Sequence, residues 1–377
     1  MRENLKRQNA AHLARFGVPL SAQQLRHALR QMLALQPWYF EDAVNADARP
    51  ELSRPSYWAA LVPGACADPE ALVVSIAAAV AARAPRVAPP SPDARAAVEG
   101  SGYIVAAPTP RTAALCATLW EIAGALSAAA LPPHFIFVYN APWELLEEQM
   151  ATVAADVLGE GAVLEADMAC WVLRREGGAV GESYVGGAFS ASHRDQTYAA
   201  SHDAEGAPLN LNVWVPFNPS GARAGNGAMR VLPVPHDDFF FCPEHPLHLD
   251  TQAALAGGAR AAAVALECAR GGACAWSPSV VHWGGRCAVD APQEPRASVA
   301  ATFRRVGAPR SVFGAALGGG EGPPPVARDD LLRAMPLARR LAYVAKGILS
   351  YSHWAPGLPG VELAAEVGAQ GPPQGPQ

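Results

Sequence analysis

Two hydrophobic periods alternate along this chain, one helical and one extended. The helical period comes first. Ser21-Ala-Gln-Gln24 has the form of a capping box, and it precedes apolar residues at Leu25, Ala28, Leu29, Met32 and Leu33, the spacing of one helix face. Residues 84–98 are rich in Pro and Ala without a pattern and read as a loop or linker, whereas residues 112–130 read as helix. Phe135-Ile-Phe-Val138 reads as a short strand. Trp143, Leu146, Met150, Val153, Ala154 and Val157 then share one helical face that ends near Gly159.

After Gly159 the pattern changes. Cys170 to Leu173, Leu211 to Phe217, Met229 to Leu232, Ala273 to Trp276 and Ser298 to Phe303 read as short strands separated by Gly, Pro and Asn turns. Residues 328–350 return to helix, with Pro336 opening a second one, and from Pro356 the tail is rich in Gly, Pro and Gln and reads as disordered. The expected organisation is therefore a helical N-terminal region over 1–130, a β core over 131–310, C-terminal helices over 311–355 and a tail over 356–377. The fold class expected is mainly β with flanking helices, a sandwich or barrel buttressed at both ends.

Composition narrows the function classes. The chain has 377 residues, half of them apolar, with a net charge of −5, which fits a globular protein with a large core. No basic stripe points to nucleic acid or an anionic membrane. The seven Cys contain no CxxC pair and read as reduced thiols. The charged start MRENLKRQNAAHLARFG lacks an apolar signal core, and the apolar runs are too short or too Pro-broken to span a membrane, so a cytoplasmic protein is expected. Gly-x-Ser-x-Gly and P-loop motifs are absent.

The stretch FSASHRDQTYAASHDAEG, from Phe189 to Gly206, concentrates His and acids in an Ala-rich background. In an extended segment residues two apart share a side, so His193 and Asp195 would converge while Arg194 turns away. His202 and Asp203 are adjacent and would diverge. A third ligand must come from another strand, and His282 in Val280-Val-His282-Trp is the candidate. Two His and one carboxylate form the facial triad of non-haem Fe(II) oxygenases. Downstream, Arg296 and Ser298 alternate on one strand face, where a guanidinium fork and a hydroxyl could hold a carboxylate. Arg304 and Arg305 lie on the same strand and compete for that role. Trp214 shares a face with Asn210 and Asn212 and could line the pocket. Asn226-Gly227 reads as a plain tight turn, His236 as a structural hydrogen-bonding residue, and His245-Pro-Leu-His248-Leu-Asp250 as a surface loop or lid rather than a second metal cluster.

His193-Arg-Asp195, Leu211-Asn-Val-Trp-Val-Pro-Phe217, the segment Gly225 to His236, Val281-His282 and Arg296, in this order, resemble the phytanoyl-CoA dioxygenase-like family, over roughly residues 135–305. Ala141-Pro-Trp-Glu-Leu-Leu146 resembles the helix ahead of that family's core. One departure is Val234, where a Gly often stands. The resemblance implies a double-stranded β-helix (jelly roll) with Fe(II) held by His193, Asp195 and His282. It also implies 2-oxoglutarate as cosubstrate near Arg296, Ser298 and Trp214, and O2 as oxidant. The implied activity is hydroxylation of a small organic molecule or acyl substrate, with release of succinate and CO2. Asp195 argues against a halogenase, whose carboxylate is replaced by a small residue. Two rival readings are a non-catalytic jelly-roll binding or scaffold protein that keeps the metal motif, and a zinc hydrolase with the same ligands.

Overall fold

The computed structural model describes residues 50–83, 92–129, 131–173, 192–256, 258–288, 290, 292–309 and 323–351. The capping box at Ser21 and the tail from Pro356 lie outside them. Among the described residues, nine strands form two antiparallel sheets. The larger contains β1 (Tyr103–Ala106), β7 (Ala273–Trp276), β4 (Asn210–Pro216) and β9 (Ala297–Arg304) in that order, and β9 also pairs with β2 (Val163–Leu164) and β3 (Ala169–Val172). The smaller runs β6 (Val264–Ala265), β5 (Met229–Val231), β8 (His282–Gly284). β3, β4, β5, β7 and β9 coincide with the strands expected from the sequence, and β8 with the separate strand expected to carry His282. β1, β2 and β6 are not among the expected strands, and the mainly β core with flanking helices is observed.

Among the described residues, six α-helices longer than five residues flank the sheets: α1 (Pro55–Leu61), α2 (Pro69–Ala82), α3 (Pro92–Ser101), α4 (Pro110–Ala128), α5 (Asn140–Gln149) and α6 (Leu337–Tyr351). Their starts follow from chemistry. Asp68 accepts from the Glu70 N–H ahead of α2, and Thr109 and Thr112 cap α4 reciprocally, each with Pro at the first helical position. After α5 the helix continues through a π-turn at Met150–Ala154 to Leu158, and Gly159 stops it at φ 88°.

Three local expectations are corrected. Phe135 to Val138 are a 3-10 helix, Pro133–Val138, wholly buried. An apolar run of that length does not distinguish a buried helix from a strand. Residues 92–98, expected as linker, belong to α3, where Pro92 supplies a helix start that the Pro-rich context obscured. Tyr103 to Ala106 fall in the stretch expected to be helical yet form the edge strand β1, as an aromatic and two β-branched residues between Gly102 and Pro108 favour.

The faces of the larger sheet differ. One face, with Leu211, Val213, Val215, Val299, Ala301 and Phe303, joins the helices in the main core. Trp214, Cys274 and Trp276 face the other way and pack on Met229, Val231 and Val280 of the second sheet and its loops. The space between the sheets is where the candidate chemistry gathers. Among the described residues no helix is long and apolar enough to cross a membrane.

Candidate metal centre

Strand pairing, rather than loop chance, brings the ligand candidates together. His193 and His282 form an antiparallel bridge at the edge of the smaller sheet and exchange both backbone hydrogen bonds, at 3.0 and 2.9 Å. Directly opposed residues project to the same face, and the two imidazoles lie 4.3 Å apart. Asp195, two residues on, turns to the same side while its N–H bonds Pro278 O at 2.9 Å. Its two oxygens lie 3.4 Å from Nε2 of His193 and 3.4 Å from Nε2 of His282. One ligand atom from each of the three residues lies within 4.8 Å of the others.

The groups around these residues prepare them as donors. Nδ1 of His282 is 3.0 Å from the Val280 carbonyl, which can only accept, so Nδ1 carries the proton and Nε2 presents a lone pair. Burial, helped by neighbouring His193 and opposed by Asp195, pulls the His282 imidazole down to about 4, so it is neutral at pH 7. Partial burial pushes the Asp195 carboxyl up. The His282 and His193 charges and hydrogen bonds from His193 and Asn212 outweigh this and hold it well below the usual carboxylate range. Its side chain is still 40% exposed. A neutral imidazole with a defined lone pair and an ionised carboxylate are what a divalent first-row metal requires, and the set fits iron.

Several residues that sequence reasoning did not place in the site shape it. Asn212 donates to Oδ2 of Asp195 at 2.7 Å and accepts from the Thr302 hydroxyl at 2.8 Å, which fixes the rotation of the carboxylate. The signal was present: Asn210, Asn212 and Trp214 alternate in an otherwise apolar strand, and a buried Asn needs partners. Arg194 turns away from the cluster, as alternation requires, and is fully buried.

The carboxylate-binding candidates lie on the inner face of β9 and at its entrance. Arg296 and Ser298 are both fully buried. The Arg296 guanidinium sits 4.8 Å from the Trp214 ring centre, and its Nη1 donates to the Gly227 carbonyl and approaches the Met229 sulfur at 3.4 Å. Burial pulls its pKa down to about 9, which leaves it cationic at neutral pH. Val231 stands opposite His282, so Met229 is two residues further along β5, roughly 7 Å at strand rise. Ser298 Oγ and Trp214 Nε1 have no hydrogen-bond partner among the described residues. Arg304, the competing anchor, is committed elsewhere: it pairs with Glu165 and donates to Ala308 O at 2.5 Å. Arg305 pairs with Asp203 at 2.7 Å.

The remaining sequence candidates are structural. Asn226-Gly227 is more than a plain turn. The buried Asn226 amide donates to the carbonyls of Gly221 and Glu294, and Gly227 adopts φ 100° where a Cβ would lie 2.2 Å from Leu173 Cδ1. Its job is to hold the Gly227 carbonyl for Arg296. His202 stacks on Tyr198 at 4.1 Å, bonds Ser201 Oγ at 2.9 Å, and is pulled down by burial. His236 is exposed, and the bond seen is from its backbone N–H to Pro233 O, not from its ring. His248 is buried instead of sitting on a surface lid, with Nδ1 2.6 Å from Phe239 O and Nε2 accepting from Tyr198 N. His245 is exposed and apart from it, so no second cluster forms there.

A family model, Phytanoyl-CoA dioxygenase (PhyH), matches residues 124–289. The match covers all three ligand candidates and ends before Arg296. No curated protein matches the chain. Among solved structures, the chain is similar to the epimerase SnoN in complex with Fe3+, alpha ketoglutarate and nogalamycin RO, at 18% identity, over 62% of this chain and 93% of that one, with a TM-score of 0.42. It is also similar to AviO1 from Streptomyces viridochromogenes Tue57, at 15% identity over 58% and 96%, TM-score 0.40. A third is EctD from S. alaskensis with bound Fe, at 18% identity over 63% and 88%, TM-score 0.40.

Proposed function

We propose, from the phytanoyl-CoA dioxygenase-like core at residues 124–289, that this protein is an Fe(II)- and 2-oxoglutarate-dependent dioxygenase that hydroxylates a small organic molecule or acyl substrate. The observation that carries the reading is the donor set: His193, Asp195 and His282 on paired segments, with ligand atoms within 4.8 Å. Those three would hold Fe(II), which when bound supplies the Lewis-acidic centre for 2-oxoglutarate and O2, with succinate and CO2 as products.

The chain's own groups position and shield. Arg296 would take the distal carboxylate of 2-oxoglutarate in a guanidinium fork, steadied by the Trp214 ring and the Gly227 carbonyl. Ser298 would add one hydrogen bond from a hydroxyl that has no partner among the described residues. Trp214 and Trp276, buried between the sheets, exclude water from that end. Asn212 holds the Asp195 carboxylate toward the two imidazoles. The jelly-roll oxygenase unit spans residues 131–310 together with the edge strand β1 from the N-terminal region, helices at 328–331 and 337–351 follow it, and the chain works in the cytoplasm.

The test is succinate formation by the full chain with Fe(II), 2-oxoglutarate and O2, screened across small metabolites and acyl thioesters. Succinate that requires all three components, and is absent in His193→Ala, is expected. Equal succinate in His193→Ala and the unaltered protein would overturn the reading.

A further inference from the structure

Arg194 lies between two proposed iron ligands in sequence and points away from both. Its surroundings are unusual for a charged side chain. It is fully buried, as is the side chain of its partner Asp237. Three separate nitrogens reach three separate residues. Nε donates to His248 O at 2.6 Å, Nη1 to Ser279 O at 2.5 Å and Nη2 to Asp237 Oδ1 at 2.9 Å. Nη1 also lies 2.8 Å from Asp237 Oδ2.

These acceptors are placed where they matter for the metal. Ser279 is three residues before His282, and Pro278 beside it accepts from Asp195 N and Gln196 N. Arg194 therefore ties the His193–Asp195 segment to the segment that delivers His282. Its other two bonds fasten both to residues 237–248. That segment and the residue Thr251 just after it are pinned to the outer side of the ligand strand: Tyr198 N donates to His248 Nε2 at 3.2 Å, and Thr251 Oγ1 donates to Ser192 O at 2.8 Å. The ligand strand thus has one side for metal and one side for anchoring.

We propose that Arg194, with Asp237 as its buried counter-ion, is a positioning residue that sets the spacing of the iron ligands. The proposal rests on the reading that His193, Asp195 and His282 hold iron. Its physical content is geometric. A guanidinium donates from three nitrogens held in a fixed planar fork, whereas an ammonium donates from a single atom on a flexible stem and cannot reproduce those separated positions. Hydrogen-bonding partners behind metal ligands commonly govern affinity by roughly ten- to a hundredfold.

The probe is Co(II), added to the full chain, with the dissociation constant and the visible ligand-field bands as readouts. The urea midpoint without metal is measured beside them. Arg194→Lys and Asp237→Asn should each weaken Co(II) binding by roughly ten- to a hundredfold and shift or broaden the bands. The paired variant Arg194→Met/Asp237→Leu separates positioning from mere stability, because hydrophobic replacement of a buried ion pair is often neutral or stabilising. It should keep the urea midpoint near that of the unaltered protein and still bind Co(II) weakly. If neither single variant folds, the paired variant decides. Unchanged affinity and bands in the folded single variants, or restoration of both in the paired variant, would overturn the proposal. If the unaltered protein binds no Co(II), or binds it equally well after His193→Ala, the iron-site reading fails, not the role of Arg194.

Discussion

The two faces of strand β4 make an instructive contrast. Leu211, Val213 and Val215 face the helices and lie in a core where burial alone accounts for the packing. Asn210, Asn212 and Trp214 face the second sheet, where every polar group has a specific task or is left without a partner among the described residues. Asn212 orients Asp195, Trp214 supports Arg296, and Ser298 across on β9 keeps a bare hydroxyl. One face is built for stability. The other accepts polar burial that stability alone would not select, as functional sites do.

The contrast is broken most severely at the metal ligands. His193→Ala or His282→Ala should abolish Fe(II) binding with little effect on folding, whereas His202→Ala, stacked on Tyr198, should leave Fe(II) affinity intact. Anaerobic equilibrium dialysis measures this, and iron loss in His202→Ala equal to that in His193→Ala would contradict it.

Next come matched truncations, one on the core face of β9 and one at its entrance. Phe303→Ala, in the main core, should cost about 3–5 kcal/mol of stability in urea. Arg296→Ala should instead cost about 3–5 kcal/mol of 2-oxoglutarate binding, a loss of very roughly a hundred- to a few thousandfold. Arg304→Ala should spare 2-oxoglutarate, because Arg304 is engaged with Glu165. A large rise in the 2-oxoglutarate constant for Arg304→Ala with none for Arg296→Ala would move the anchor.

Acid should expose a third difference. Burial pulls His134 down to about 3, and burial together with Arg194 pulls His248 down to about 4. In the unfolded chain both titrate near 6.5. The unfolded state therefore binds more protons between about 6.5 and 4, and the stability these neutral rings confer is complete above that window and falls as pH drops through it. His134 has no hydrogen-bond partner on either nitrogen among the described residues and stacks near Tyr351. His134→Phe should flatten the decline of the urea midpoint from pH 7 to 4.5; an unaltered slope would count against the assignment. Ser298→Ala is the mildest case. It should cost on the order of 1 kcal/mol of 2-oxoglutarate affinity and almost nothing in ligand-free stability.

The sequence carried much of this. Short apolar runs bounded by Gly, Pro and Asn turns located β3, β4, β5, β7 and β9, several of them buried on both faces, and period-2 alternation turned Arg194 away from His193 and Asp195. The ordered motifs resemble the family over roughly residues 135–305, which overlaps the 124–289 that the PhyH model matches and extends past it to Arg296. Short fully apolar runs were ambiguous, so Phe135 to Val138 read as strand and proved helical. What stayed hidden depends on contacts across great sequence distance. The bond from Thr302 to Asn212 spans 90 residues and that from Arg194 to Ser279 spans 85, and no local pattern encodes either. The same holds for His248, whose Pro-rich neighbours suggested a surface loop although its ring is a buried linker between Phe239 and Tyr198.

The central claim is that one site holds iron and 2-oxoglutarate together. Anaerobic titration of Fe(II) and then 2-oxoglutarate into the full chain, followed by visible absorption, tests it most directly. A weak charge-transfer band that needs both components is predicted. It should be lost in His282→Ala and should require far more 2-oxoglutarate in Arg296→Ala. Tight Fe(II) binding with no such band at any 2-oxoglutarate concentration would contradict the account.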